Sequence, residues 1–184
     1  MALMAYKDVY PELGEDVFVA PGAWVIGDVV IGARTSVWFN SVVRGDDNYI
    51  RIGADSNAQD NCTLHVTIHR FPLEIGDRVT IGHNAIIHGS VIEDDCLIGM
   101  GAVIMDGARI GKGSIVAGGA VVPPGLQVPP GSMVMGVPGK VARPLTDADH
   151  ELIQDSWAHY VRMAGDYLAA GLLDVSKKVK GFLG

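Results

Sequence analysis

The sequence predicts a mainly β protein, a parallel β-helix of hexapeptide repeats followed by one C-terminal α-helix. Two observations lead to this fold class. Glycine makes up 24 of the 184 residues, which is about 13% against a usual ~7%. Aliphatic residues also return every six positions along most of the chain, and internal repeats of that length are typical of a parallel β-helix.

The six-residue register is the stronger of these two signals. A period of six fits neither the 3.6-residue period of a helix nor the two-residue alternation of a half-buried strand. Each unit is read as a short strand and a tight turn, with the aliphatic side chain inward and small residues at the corner. Three units close one coil of 18 residues, so ~130 repeat residues make about seven coils. The aliphatic positions, interrupted by slips, are Val19, Val25, Ile31, Val37, Val43, Ile52, Ala58, Leu64, Ile75, Ile81, Ile86, Ile92, Ile98, Ile104, Ile110, Val116, Val122 and Val128.

A glycine-rich sandwich of short antiparallel strands is the alternative fold. It would need hairpin turns between its strands, and the chain has few hairpin signals. The sandwich also leaves the six-residue register unexplained, so the β-helix is favoured.

The chain changes character after the stretch "LQVPPGSMVMGVPGKVARP". We assign residues 1–145 to the β-helix with an N-terminal cap, 146–172 to a helix packed on its flank, and 173–184 to a basic, frayed tail. Thr146 is the expected N-cap and Gly171 the expected stop. The face of the helix expected to pack inward consists of Leu152, Ile153, Trp157, Tyr160, Val161, Ala164 and Leu168.

Charge and cysteine content narrow the function classes. The net charge of −7 disfavours nucleic acid or an anionic membrane as the main partner. Cys62 and Cys96 are expected to be reduced, and a cytoplasmic location follows, because a chain of this size can bury a core without disulfides. No apolar run reaches the length of a membrane span, and the start "MALMAYKDVYPELGED" lacks the layout of a signal peptide.

Three of the six histidines have a spacing that suggests a metal site. His83 follows His65 by 18 residues, so both are predicted at the same corner of successive coils, with His88 further round. A neighbouring subunit could supply the missing ligand, and three imidazoles with an open fourth position are the usual catalytic zinc arrangement. The alternative is that they are solvated surface residues. The remaining histidines, read as surface or packing residues, are His69, His150 and His159.

The motifs around these histidines resemble a known family. "RGD" at residues 44–46, "N-x-QDN-x-x-LH" at 57–65 and "GHNAIIHG" at 82–89 are similar to the γ-class carbonic anhydrases and their relatives. The resemblance spans nearly the whole chain. It implies a left-handed β-helix assembled as a homotrimer, with the metal between subunits. By that pattern, His65 and His88 come from one chain and His83 from the next.

The same resemblance implies roles for six further residues. Arg44 and Asp60 match an ion pair across the trimer interface, and Asp46 matches a carboxylate that hydrogen-bonds near the site. Gln59 matches the amide that orients the metal-bound water, and Asn57 matches a polar residue of the pocket. Tyr160, on the helix, matches a tyrosine that reaches toward the site. Arg44 and Asp46 could instead form a purely structural pair, and Tyr160 could simply pack the helix.

The activity implied is hydration of carbon dioxide to bicarbonate. Zinc held by neutral imidazoles lowers the pKa of bound water from ~15.7 to about 7 and so supplies the attacking hydroxide; Fe or Co would also suit these ligands. The most active members carry an acidic loop after the first histidine. Here "VTIHRFPLEIG" follows His65, its one acid is Glu74, and Asp47 stands where a glutamate can occur. Proton export is therefore expected to be slow.

Two other functions remain open from the sequence. Most hexapeptide β-helix proteins are acyltransferases, and His65 or His88 could serve one as a base. A non-catalytic metal-binding or scaffold protein is the second alternative. Metal content, carbon dioxide hydration and acyl-CoA binding separate the three.

Overall fold

The computed structural model describes residues 2–171, in which short strands wind as a parallel β-helix and a single helix follows. The helix, α1, spans Asp147–Ala169. The strands in chain order are β1 (Ala2–Met4), β2 (Glu12–Leu13), β3 (Phe18–Val19), β4 (Trp24–Ile31), β5 (Ser36–Val37), β6 (Val42–Ile52), β7 (Asn57–Ala58), β8 (Thr63–His65), β9 (Leu73–Ile75), β10 (Thr80–Ile81), β11 (Ile86–His88), β12 (Val91–Ile92), β13 (Leu97–Ile98), β14 (Val103–Ile104), β15 (Arg109–Ile110), β16 (Ile115–Val116), β17 (Val121–Val122), β18 (Gln127–Val128), β19 (Ser132–Met135) and β20 (Lys140–Pro144).

These strands form three faces that run the length of the β-helix. Face A stacks β3, β5, β7, β10, β13, β16 and β19, one strand from each of seven coils, and β20 closes it in antiparallel pairing. Face B stacks β8, β11, β14 and β17 on the first half of β6, and face C stacks β9, β12, β15 and β18 on its second half. The predicted parallel β-helix of about seven coils is therefore confirmed.

The core is a column of inward aliphatic side chains, as the six-residue register predicts. One residue that the sequence predicts to point inward, Ile86, does not do so. Ile87, fully buried, stands in the column on Leu64, whereas Ile86 is 43% exposed. Adjacent strand residues point to opposite faces, and the step from Ile87 to Ile92 is one residue short of six. The regular register therefore begins at Ile92, one unit later than predicted.

The corner between faces C and A has the predicted small residues, since a Cβ added at Gly32, Gly53 or Gly76 would clash with the next coil, and it also carries charged residues. Five successive coils place a residue of alternating charge there in the left-handed backbone region, at φ between 55° and 57°. Arg34 pairs with Asp55 at 2.7 Å, and Arg78 pairs with Asp95 at 2.6 Å. We call this set the corner ladder; its members are Asp16, Arg34, Asp55, Arg78 and Asp95.

Helix α1 begins and ends at the predicted signals. Thr146 is the N-cap of a complete capping box with Asp149, which satisfies free N–H groups of the first turn. Gly171 follows the helix at φ 60°. The helix packs on face A, with Ile153 and Ala164 buried, but Leu152 is 52% exposed and does not belong to the buried face. The predicted tail, 173–184, lies outside the described residues.

No helix within residues 2–171 is both long and apolar enough to cross a membrane.

Candidate metal centre

His65 and His88 lie side by side on face B. They close strands β8 and β11, and the parallel register pairs them directly. Nδ1 of His65 lies 3.1 Å from Nε2 of His88. Two neighbouring strands of one face thus present a pair of imidazoles on the outer surface of the β-helix.

The predicted pairing of His65 with His83 was wrong. His65 pairs with His88, 23 residues later, because segment 66–72 adds residues to this coil between β8 and β9. His83 lies instead in the turn from β10 to β11, at the corner between faces A and B, where Asn84 N–H donates to the Asp60 carbonyl. The spacing of 18 would place residues at one corner only if the coil had no insertion.

A carboxylate holds the outer nitrogen of each paired imidazole. Nε2 of His65 lies 3.0 Å from Oδ1 of Asp46, and Nδ1 of His88 lies 2.6 Å from Oδ1 of Asp106. Partial burial raises the pKa of Asp46, but hydrogen bonds from Arg44 and His65 outweigh this and hold it below the usual value. The pKa of Asp106 is also lowered, since hydrogen bonds from His88 and Thr67 outweigh its desolvation. Both acids are therefore ionised near neutral pH.

These contacts decide which ring nitrogens carry hydrogen. An ionised carboxylate only accepts hydrogen bonds, so Nε2 of His65 and Nδ1 of His88 are the protonated nitrogens in the neutral rings. The two nitrogens that face each other then both present lone pairs, which repel unless a cation or a proton lies between them. Their 3.1 Å separation is close to the ~3.3 Å expected for two nitrogens bound tetrahedrally to one zinc at about 2.0–2.1 Å. The residues present fit a zinc ion.

His83 is arranged in the same way at its own corner. Its Nδ1 lies 2.8 Å from Oδ2 of Asp60, so Nε2 is the nitrogen left with a lone pair when the carboxylate is ionised. The His83 backbone N–H donates to Oε1 of Gln59 at 3.2 Å. The Nε2 amide of Gln59 makes a long contact of 3.4 Å with Oδ1 of Asn57, and the Nδ2 amide of Asn57 donates to the Thr80 hydroxyl at 3.0 Å. Gln59 and Asn57 are buried and form one polar chain that ends at His83.

Tyr160 reaches this corner from helix α1. Its hydroxyl lies 3.5 Å from Nε2 of His83, and its ring packs edge-on against Trp38. Burial, followed by the nearby negative charge of Asp60, raises the pKa of Tyr160, so the phenol stays protonated at neutral pH. The hydroxyl therefore lies near His83 while the ring packs the helix, and a role of Tyr160 in a catalytic site stays a prediction.

Arg44 binds Asp46 within the chain. The guanidinium Nη1 pairs with Oδ2 of Asp46, whose other oxygen holds His65. In the described part of a single chain Asp60 contacts His83 and the Phe39 N–H rather than Arg44. The expected ion pair between Arg44 and Asp60 therefore stays a prediction about two different chains.

Sequence reasoning missed Asp106 and Thr67. Asp106 follows His88 by 18 residues, but the register of this coil is 17, with Ile87 paired to Ile104. Asp106 therefore lies against Gly89, one position past His88, and the regular coil spacing would not have pointed to it. Thr67 gives no signal either, because it lies in the segment that interrupts the repeat. Asp47 forms a further group with Asp46 and His65 whose possible ligand atoms lie within 4.8 Å of one another.

The repeat and the coil geometry define a hexapeptide-repeat protein, and comparison with known families agrees. The family described as bacterial transferase hexapeptide (six repeats) matches residues 89–124, and that described as hexapeptide repeat of succinyl-transferase matches 72–104. Among solved structures, a Bacillus cereus protein provisionally named an acetyltransferase is 38% identical, with a TM-score of 0.90 over 92% of this chain and 98% of its own. A hexapeptide transferase family protein from Anaplasma phagocytophilum is 34% identical, with a TM-score of 0.87 over 90% and 98% of the two chains.

The curated relatives narrow the hexapeptide-repeat proteins to one family. A probable carbonic anhydrase of Methanocaldococcus jannaschii is 52% identical over 83% of this chain and 95% of its own length. A carbonic anhydrase of Geobacillus kaustophilus is 44% identical over 89% and 90% of the two chains. The mitochondrial gamma carbonic anhydrase 2 of Arabidopsis thaliana is 43% identical over 88% of this chain, which spans only 60% of that longer protein. The chain belongs to the γ-class carbonic anhydrase-like family of hexapeptide-repeat proteins.

Proposed function

We propose that this protein catalyses the reversible hydration of carbon dioxide to bicarbonate at a zinc site shared between the chains of a homotrimer. One observation carries the proposal. Each of three imidazoles, His65, His83 and His88, has one nitrogen on a carboxylate, which leaves the other nitrogen with a lone pair that a cation could take. Carboxylate–histidine–metal arrangements orient the ring and make its free nitrogen a better ligand.

A shared site follows from where these imidazoles lie. His65 and His88 meet on face B, whereas His83 lies at the corner of faces A and B and approaches Tyr160 on the helix. One chain would supply His65 and His88, and its neighbour would supply His83. The pairing of Arg44 with Asp60 across the same boundary belongs to this arrangement. When bound there, a zinc ion would activate water as a nucleophile at neutral pH.

The residues of the chain would do the remaining work. Gln59 cannot act as a base at neutral pH, because its amide has no titrating proton there. Its buried side chain is held through Oε1 by the His83 N–H, so its amide nitrogen would orient a water or a substrate oxygen. Asp46 would hold the ring of His65, with Arg44 holding Asp46.

Removal of the proton released from water is expected to be the slow step at this site. The acid that follows His65 in the repeat, Glu74, accepts a hydrogen bond from the Tyr49 hydroxyl at 2.8 Å, on face C. This carboxylate lies on face C, whereas the histidine pair lies on face B. Asp47 is the exposed acid grouped with Asp46 and His65, and it is the remaining candidate to carry a proton. Turnover is expected to depend on buffer, since an external base can replace a missing internal one.

The test is a stopped-flow hydration assay on zinc-loaded protein across imidazole buffer concentrations, with iron- and cobalt-loaded samples beside it. The proposal expects hydration whose rate rises with buffer. Zinc-loaded protein without hydration at any buffer concentration would refute it and leave the metal-binding or scaffold function. The expected cytoplasmic location and the absence of a nucleic-acid or membrane partner stay predictions.

Acyl transfer is the second candidate, because the two solved structures described above are named as transferases. His65 or His88 would then serve as a base. The ion-pair and amide chain around the histidines are not needed for that reaction, which is why hydration is preferred. Saturable binding of acetyl-CoA together with acetyl transfer, and no hydration, would favour this candidate.

A further inference from the structure

Asp106 lies one coil beyond His88, and its two carboxylate oxygens have different partners. Oδ1 lies 2.6 Å from Nδ1 of His88, and Oδ2 accepts a hydrogen bond from the Thr67 hydroxyl at 2.8 Å. Thr67 belongs to segment 66–72, which interrupts the repeat before β9. The carboxylate of Asp106 therefore joins three successive coils at the edge of face B.

We propose that Asp106 is a positioning residue for His88, which fixes the hydrogen on Nδ1 and aims Nε2 at His65; this rests on the proposed function. With Oδ2 held by Thr67, the carboxylate cannot rotate freely about its Cβ–Cγ bond. The hydrogen bond from Nδ1 to Oδ1 of Asp106 itself sets the tautomer and ring plane of His88. Thr67 only narrows the rotation of the carboxylate, so loss of its hydroxyl should matter much less than loss of Asp106. Thr67 supports the carboxylate and does not touch the imidazole.

The two carboxylates of the histidine pair are not equivalent. Asp46 is neutralised by its ion pair with Arg44. Across residues 2–171, no Lys or Arg nitrogen lies within ion-pair distance of Asp106. The charge of Arg70 acts on it only from further away, and its carboxylate contacts Nδ1 of His88. Its negative charge is thus directed at the ring of His88, which makes Nε2 more basic and a stronger ligand for a divalent cation. Loss of the Asp106 charge should weaken the site even though the imidazole remains.

The competing explanation is that Asp106 only anchors segment 66–72. That segment closes on itself through hydrogen bonds between Thr67 and Phe71, at 3.0 and 3.2 Å. Phe71 also lies against Gly107, where an added Cβ would meet the ring at 3.0 Å. The segment therefore has anchors besides Asp106. Thr67→Val, which keeps the shape of the side chain but removes the hydroxyl, separates the two explanations.

The experiment uses the full chain and the variants Asp106→Asn, Asp106→Ala and Thr67→Val. The tautomer of His88 is read in metal-free protein from its ring ¹⁵N chemical shifts, assigned with His88→Gln. Zinc affinity is measured by competition with a chelator, and the unfolding temperature of each metal-free variant confirms that it folds. We expect wild-type His88 to be protonated at Nδ1 and Asp106→Ala to mix tautomers. Asp106→Asn keeps an acceptor oxygen but loses the charge, so both variants should bind zinc about 10- to 100-fold more weakly. Thr67→Val should change zinc affinity by about threefold or less.

The inference is overturned if folded Asp106→Ala keeps the wild-type tautomer, or if the zinc affinity of both folded Asp106 variants stays within about threefold of wild type. It is also overturned if Thr67→Val weakens zinc binding as much as Asp106→Asn does, because Asp106 would then act only as a loop anchor. The proposed function fails separately. If the Asp106 variants show the expected changes in tautomer and zinc affinity but the zinc-loaded wild type does not hydrate carbon dioxide, the proposed function is refuted and the positioning role of Asp106 remains.

Discussion

The side-chain carbonyl of Gln59 accepts a hydrogen bond from the backbone N–H of His83 at 3.2 Å. This bond ties a buried amide on one coil to the turn that carries a proposed metal ligand on the next. Among residues 2–171, the amide nitrogen of Gln59 is left with one long contact, to Asn57 at 3.4 Å. The free donor of a buried amide is therefore available to a ligand at this corner.

Gln59→Ala should keep zinc and lose turnover. The substitution removes the proposed orienting donor but no metal-binding nitrogen, so zinc content should match wild type. Loss of one such donor at a reacting centre lowers kcat by about 10- to 1000-fold in other enzymes, and we expect the lower part of that range. Zinc content by mass spectrometry and stopped-flow hydration provide the measurement. The control is Gln127→Ala, an exposed glutamine on face C; equal rates for the two variants would contradict the role of Gln59.

Alanine at His65, His83 or His88 should each abolish zinc binding and any hydration. Two imidazoles and water make a poor catalytic zinc site. His69→Ala is the matched control, because His69 is exposed in segment 66–72 and is not a proposed ligand. Metal content after dialysis against zinc measures the effect. A variant at one of the three positions that retains stoichiometric zinc removes that residue from the ligand set.

Arg44→Ala should loosen the proposed trimer. The variant leaves Asp46 without its cation and, in the assembly, Asp60 without its partner, and a partly buried unpaired charge is costly. Both acids retain some exposure, so the expected effect is modest, about tenfold in the association constant, or ~1.4 kcal/mol. Sedimentation velocity over a dilution series measures it.

Arg109→Ala serves as its control, since Arg109 pairs with Glu93 on the exposed surface of face C. An association constant for Arg44→Ala equal to that of wild type and of this control would count against the interface role.

The two cysteines should be unreactive in the folded protein. Burial raises the pKa of Cys62 to about 11 and that of Cys96 to about 12. Because the thiolate is the reactive form, at pH 8 about one thiol in a thousand is ionised at Cys62 and fewer at Cys96. Titration with a dipyridyl disulfide should find no fast thiol in native protein and two in 6 M guanidinium. A thiol that reacts within seconds in native protein would contradict the buried placement.

The corner ladder should contribute little to stability despite its regularity. Arg78 and Asp95 keep 31% and 18% of their side chains exposed. A double-mutant cycle with Arg78→Ala and Asp95→Ala should give a coupling free energy of about 1 kcal/mol or less, which shrinks in 1 M salt. Urea unfolding measures it. A coupling of several kcal/mol that persists in salt would show that the ladder is an essential support of the coil.

The fold class could be read from the sequence because its signal is local and repeated. Each aliphatic residue from Ile92 to Val128 returns after six positions, and the same packing requirement recurs in every coil. The ends of the helix could also be predicted from the sequence, since Thr146 and Gly171 act within one turn of them. Repeated local rules of this kind do not depend on what the coil packs against.

Positions near insertions were decided only by the tertiary structure. Segment 66–72 changes the length of one coil, so His65 meets His88 and not His83, and the shortened step after Ile87 moves Ile86 to the surface. The number of residues between two positions predicts whether they stack only when every residue between them lies in the regular coil.

The proposed ligands were named from the sequence, but their protonation pattern was not. His65, His83 and His88 could be recognised from motifs, whereas the carboxylates that set their free nitrogens come from other coils. Asp106 illustrates this most directly, because its two contacts are 18 and 39 residues away along the chain. Hydrogen bonds between side chains depend on where the backbone places them, so the electrostatics of the site emerge only when the coils are stacked.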